Sequence, residues 1–182
     1  MTTTSIFLFI IFIIQSVLGL LIITKGKDKK AKLSFAFFCF SFAIWTLSYF
    51  LLELIPNNQD ITVLFKTVFI GPSFIVLFTY FTYVFPDKEQ KVPSILFFVI
   101  FPILFLLLLP TNFYLESAYK TINGQIIVKQ NFGILLFWAY FILSLLVGLW
   151  NLVRKSKLAN KANQQGIKYI FFGLFAACLF WV

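Results

Sequence analysis

The chain has 182 residues, 61% of them hydrophobic and 12% charged, against roughly 45–50% apolar and about 25% charged in soluble domains, which argues against a soluble fold. The net charge of +9 would suit nucleic acid if it lay along one face of a domain, but Lys and Arg fall in short runs between apolar stretches, so it is read as a membrane-orientation signal with no nucleic-acid partner. Histidine is absent, which excludes a histidine phosphoacceptor, a Ser/His/Asp triad and histidine metal ligands within these residues.

A helix needs about 20 apolar residues to cross the hydrocarbon core, and the apolar runs are counted on that basis. The first is 5–24, broken only by Gln15, Ser16 and Gly19, with no positive charge ahead of it to suggest a cleaved signal peptide. The second, 33–55, is closed by Pro56-Asn57-Asn58, and the third, 61–85, by Pro86-Asp87. Pro102 interrupts the fourth, 92–109, which a membrane helix tolerates. The fifth is 132–153. A sixth starts near Ile167 and reaches Val182, too short to cross, so the chain is read as truncated within it. The expected fold is therefore all-α: one polytopic transmembrane bundle over residues 1–182, with five full spans and an incomplete sixth. The loop between the fourth and fifth spans, 111–131, is expected to add a small outer β-hairpin.

Twelve of the fifteen basic residues fall on alternate loops: Lys25 to Lys32, Lys88 and Lys91, and the basic loop 154–168. Only Lys66, Lys120 and Lys129 lie on the other side. Since Lys and Arg accumulate in cytoplasmic loops, the N-terminus is expected outside the membrane.

In the second span Ser41, Trp45, Tyr49 and Glu53 recur every fourth residue and form a slowly drifting polar stripe that should face the bundle. An acid near the end of a span needs a cation, a cavity or the headgroups, and Lys66 stands at a matching depth in the third span. The plainer alternative is that Glu53 and Lys66 both snorkel to the interface. Gly71-Pro72, about midway along the third span, should kink it. Thr79, Tyr80, Thr82 and Tyr83 follow, either lining a pocket or hydrogen-bonded to backbone and headgroups. In the loop 111–131, Asn123-Gly124 between β-prone flanks reads as a type I′ hairpin turn, serving as a lid or as a structural cap. Trp45, Tyr49, Glu53, Lys66, Gly71 and Pro72, with Asn123 and Gly124 in the hairpin, are the candidate ligand or coupling residues. Cys39 and Cys178 sit singly in apolar runs and are read as packing. Glycines are too dispersed for a phosphate loop, and Asp87 and Glu89 flank Lys88 in a solvated turn. No catalytic residue, metal site or cofactor is expected, and the chain is not read as an enzyme.

The segment Ala43-Ile44-Trp45-Thr46-Leu47-Ser48-Tyr49 followed by Glu53, then Phe85-Pro86, and the stretch from Leu152 through Ile167-Lys168-Tyr169-Ile170 to Gly173 resemble the N-terminal seven-transmembrane region of bacterial sensor histidine kinases. The resemblance runs nearly end to end, with Gly166 standing where a glutamine is usual. It implies a multi-pass sensor in the bacterial cytoplasmic membrane, relaying an external or intramembrane cue to a cytoplasmic kinase or cyclase module in cis, with a homodimer expected by analogy alone. The competing readings are a small transporter or channel subunit, which should show ionisable residues at the midplane or discontinuous helices in repeated halves, and a stand-alone accessory membrane protein. A lipid-acting membrane enzyme would need a cluster of His, Asp or Glu at a membrane boundary, which the sequence lacks.

Overall fold

The computed structural model describes residues 3–25, 29–85, 95–157 and Lys168. Helix α1 (Thr3–Lys25) is followed by α2 (Lys29–Leu54), strand β1 (Gln59–Asp60), the short helices α3 (Thr62–Thr67), α4 (Ile70–Ser73) and α5 (Val76–Val84), α6 (Ile95–Leu108), strands β2 (Leu115–Lys120) and β3 (Ile126–Gln130), and α7 (Gly133–Ser156). Four helical segments are long and apolar enough to cross a bilayer: Thr3–Thr24, Lys29–Leu54, Thr62–Val84 and Gly133–Ser156. They correspond to the first, second, third and fifth expected spans. The fourth is observed as α6, a 14-residue helix that continues through Pro102, its first residues lying outside the described ones. The sixth, except Lys168, also lies outside them, as do Cys178 and the Asp87-Lys88-Glu89 turn.

Helices α1 and α2 pack antiparallel, as the pairs Gly19 with Phe40, Gln15 with Thr46 and Phe9 with Phe50 show. The third span and α7 run parallel, joined by a ladder of side-chain bonds. Tyr140 Oη donates to the Ser73 carbonyl at 2.8 Å, Thr79 Oγ1 to the Ser144 carbonyl at 2.6 Å, and Asn151 Nδ2 to Thr82 Oγ1 at 3.4 Å. Both alternatives for the Thr79–Tyr83 hydroxyls hold in part: Thr79 and Tyr83 line a cleft of about 490 Å³ between the third span, α6 and α7, while Thr79 and also Thr82, which donates to the Thr79 carbonyl at 2.7 Å, bond to backbone. In a bilayer the hydrophobic effect does not favour one helix contacting another over lipid, so such bonds and close packing carry association. Chain direction then puts the Lys25 end of α1, the Lys29 end of α2 and the Arg154-Lys155 end of α7 together with the last turn of α5 at one end, here the basic end. The strands occupy the opposite end.

The expected kink in the third span is a longer break. Between Val68 and Phe78, amides bond three residues back: Val68 to the Phe65 carbonyl, Phe69 to Lys66, Phe74 to Gly71, Ile75 to Pro72, and Phe78 to Ile75, at 3.0–3.1 Å. This is 3₁₀-type bonding, and it splits one span into α3, α4 and α5. Pro72 supplies no amide hydrogen and its ring obstructs the carbonyl of residue 68. The same segment is where α2 comes closest: a Cβ on Gly71 would lie 2.2 Å from the Ser41 carbonyl oxygen and 2.7 Å from Trp45 Cβ.

The strands form one antiparallel sheet in the order β1-β2-β3. The hairpin is present, but the sheet has three strands, because Gln59 and Asp60 pair with Lys120 and Tyr119. A two-residue polar strand after Pro56 carries no alternation to reveal it. The turn also differs from the type I′ expectation. The described positive-φ residues are Asn58 and Gly124, so Asn123 stays in the ordinary region. Gly124 N–H donates to the Thr121 carbonyl at 3.0 Å and Thr121 N–H to the Gln125 carbonyl at 2.8 Å. This is a type I turn closed by a left-handed glycine, the three-residue hairpin loop. Beneath the sheet lies an aromatic core centred on Tyr114, fully buried, its ring stacked on Phe69 at 5.4 Å and its hydroxyl donating to the Phe105 carbonyl at 2.8 Å.

Candidate functional site

The stripe on α2 faces inward for most of its length: Ser41 and Trp45 are buried, Tyr49 and Glu53 half-buried. It borders two clefts below the sheet. One, of about 160 Å³, is walled by Trp45, Tyr49, Phe69, Pro72, Phe137 and Trp138, with Gln130 among its lining residues. Trp45, Tyr49 and Pro72 thus meet, and Gly71 lies against Trp45 behind them. The second, of about 230 Å³, is lined by Thr4, Phe7, Leu8 and Ile11 of α1, Thr46, Tyr49, Leu52 and Glu53 of α2, and Ile126 of β3. Tyr49 borders both. Gln130, Trp138 and Ile126 were not singled out from the sequence, since no local pattern marks residues that come to a cleft from a distant strand or helix.

Glu53 and Lys66 are not partners. Lys66 Nζ donates to the carbonyls of Thr111 at 2.8 Å and Pro110 at 3.3 Å, just past the end of α6. The same device occurs twice more. Lys120, only 6% exposed, donates to the carbonyls of Ile55 at 2.9 Å, Leu52 at 3.2 Å and Glu53 at 3.3 Å. Lys155 donates to Tyr83 at 2.8 Å and Phe85 at 2.9 Å at the end of α5. The last carbonyls of a helix lack intrahelical donors and carry about half a negative charge, so an ammonium satisfies both needs. Lys120 therefore fixes β2 to the end of α2. Asn123 and Gly124 sit at the hairpin tip, away from both cleft linings; Asn57 Nδ2 donates to the Ile122 carbonyl beside them at 2.9 Å.

The described carboxylates are accounted for unevenly. Glu116 pairs with Lys129 at 2.7 Å. Asp60 Oδ1 accepts the Thr62 hydroxyl at 2.6 Å and its amide at 2.8 Å, which hold the Asp60 carboxyl below its usual range. Among the described residues the Glu53 carboxylate has no ion pair or hydrogen bond. No group of three or more His, Cys, Asp or Glu occurs among the described residues.

A family model described as the N-terminal 7TM region of histidine kinase matches residues 7–182, nearly the whole chain. No curated protein and no solved structure matches it.

Proposed function

We propose that this chain, which belongs to the family of N-terminal 7TM regions of histidine kinases, is the sensory input region of a bacterial two-component kinase. In this reading it is a multi-pass protein of the cytoplasmic membrane. Its N-terminus and sheet face outward, five spans cross fully, and helix movements are relayed to a cytoplasmic kinase module in cis. The single observation that carries the reading is the family match over nearly the whole chain. The geometry adds a physical route. Two clefts at the sheet end share Tyr49, and one of them is walled by Pro72 in the broken third span, so an occupant there would bias a segment whose backbone bonding is already split between 3₁₀ and α forms. No catalytic step is assigned to these residues.

The test starts with the open reading frame beyond Val182. A frame that adds a further span and enters a kinase supports the reading; a stop codon there overturns it and brings the accessory or transporter reading forward. In the full-length kinase, reconstituted in vesicles, Trp45→Ala and Tyr49→Ala are expected to alter autophosphorylation or its response to envelope extracts while leaving ATP affinity unchanged. Wild-type output from both variants would remove these two residues from the relay.

A further inference from the structure

The cleft between α1, α2 and β3 carries a more specific chemistry than its neighbour. Its walls include Phe7, Leu8, Ile11, Leu52 and Ile126, and one wall position is Glu53. The other described carboxylates are engaged elsewhere, Glu116 by Lys129 and Asp60 by Thr62, and Lys66 and Lys120 are held on backbone carbonyls. The end of α2 contributes about half a negative charge and the start of α1, whose Thr4 lines the cleft, about half a positive one, so the two helix ends offset each other and the Glu53 carboxylate is the charge that a ligand in the cleft would meet. An acid in apolar surroundings at the edge of a span is disfavoured without a cationic partner. The volume, about 230 Å³, exceeds the roughly 150 Å³ that accepts a benzene ring, leaving room for a short chain bearing a head group.

We propose that this cleft binds a small amphiphilic amine, its ammonium on Glu53 and its apolar body against Phe7, Leu8, Ile11 and Ile126. The proposal rests on the sensory reading only in giving the site a purpose. An occupant would touch α1, α2 and β3 at once, and β3 is hydrogen-bonded to β2, whose Lys120 holds the end of α2. Two sources supply this chemistry: a soluble aryl-alkyl amine, and the ammonium of an ethanolamine lipid with the start of its chain.

The test uses the chain, or the full-length protein containing it, in nanodiscs of phosphatidylglycerol, with 4-fluorophenethylamine followed by fluorine NMR. Wild type is expected to show saturable binding above bilayer partitioning. Glu53→Gln is expected to weaken it about tenfold or more, the order contributed by one charge-assisted hydrogen bond, and the uncharged 4-fluoroethylbenzene should not distinguish the two proteins. Leu8→Trp, which fills the cleft without touching the carboxylate, should also abolish saturable binding; matching thermal melts show that either variant is folded. Equal binding to wild type and Glu53→Gln, or partitioning alone in both, overturns the proposal. In nanodiscs containing phosphatidylethanolamine, a wild-type affinity that falls identifies the lipid as competing occupant, and one that holds identifies the soluble amine. Binding is read without any kinase, so its failure leaves the sensory reading to its own test.

Discussion

At the residue scale the three lysine caps separate charge that stabilises from charge that only decorates. Lys120 is buried against three carbonyls, whereas Lys129 and Glu116 form a pair with 67% and 48% of their side chains exposed. Hydrogen bonds to a charged group contribute about 1.5–3 kcal/mol where the alternative is an unsatisfied buried carbonyl, while exposed ion pairs contribute roughly 0–1 kcal/mol. Lys120→Met is therefore expected to destabilise the protein by about 2 kcal/mol and Lys129→Met by less than about 1 kcal/mol, read from denaturation midpoints in one detergent. Equal losses would mean that the cap is unimportant. Asp60 gives a pH signature instead. Its carboxyl is held below the free value of 3.8 by the Thr62 hydroxyl and then by the Thr62 amide. The stabilisation is thus present above that value and disappears as pH falls through the lower folded value. Asp60→Asn should be less stable than wild type near neutrality, with the gap closing below about pH 4. A constant gap would show that Asp60 acts through shape and not charge. None of these roles was legible in the sequence. For Lys66 the sequence offered pairing with Glu53 or snorkelling to the interface, because depth along a span is readable while the carbonyl that a lysine reaches, 44 or 45 residues away, is not.

At the element scale the spans were legible and their interruptions were legible only in part. Hydropathy and the Pro-containing stops place α1, α2, the third span and α7 within a few residues of their expected bounds, since each is a long apolar run closed by charge or proline. Gly71-Pro72 announced a bend, but the extent of the 3₁₀ bonding from Val68 to Phe78 follows from how the segment packs on α2, a tertiary fact. Two glycines test that packing. At Gly71 a Cβ would meet backbone, the Ser41 carbonyl at 2.2 Å; at Gly19 it would meet only the Phe40 ring, at 3.0 Å. Overpacking costs about 1–3 kcal/mol when nothing can yield, and a ring can rotate where a backbone cannot. Gly71→Ala is expected to fall at or above the top of that range and Gly19→Ala within about 1 kcal/mol of wild type, measured as loss of folded, monodisperse protein with temperature. Comparable behaviour of the two variants would contradict a close α2–α4 crossing. The hairpin shows the same division: Asn-Gly marked the turn, but Gly124 alone takes positive φ, and β1 left no sequence trace.

At the scale of the whole molecule the caps sharpen the orientation argument. A raw count sets most lysines at one end, yet a lysine bound to carbonyls or to a carboxylate says little about which leaflet it prefers. At the sheet end Lys66 and Lys120 serve as helix caps and Lys129 is paired with Glu116, so every basic residue there has a structural partner. At the basic end Lys155 is likewise a cap, whereas Lys29, Arg154 and Lys157 are exposed. Each such charge near an anionic cytoplasmic leaflet favours that side by about 1 kcal/mol, so these exposed charges favour the basic end on the cytoplasmic side. Single cysteines test it in a background where Cys39 and Cys178 are alanine. With a membrane-impermeant maleimide on intact cells, Asn123→Cys at the hairpin tip is expected to label directly and Lys157→Cys only after permeabilisation. The reverse pattern would invert the topology. It would place both clefts on the cytoplasmic side, where an external amine could reach Glu53 only after crossing the bilayer, and the sheet end could no longer be the face that meets the cue.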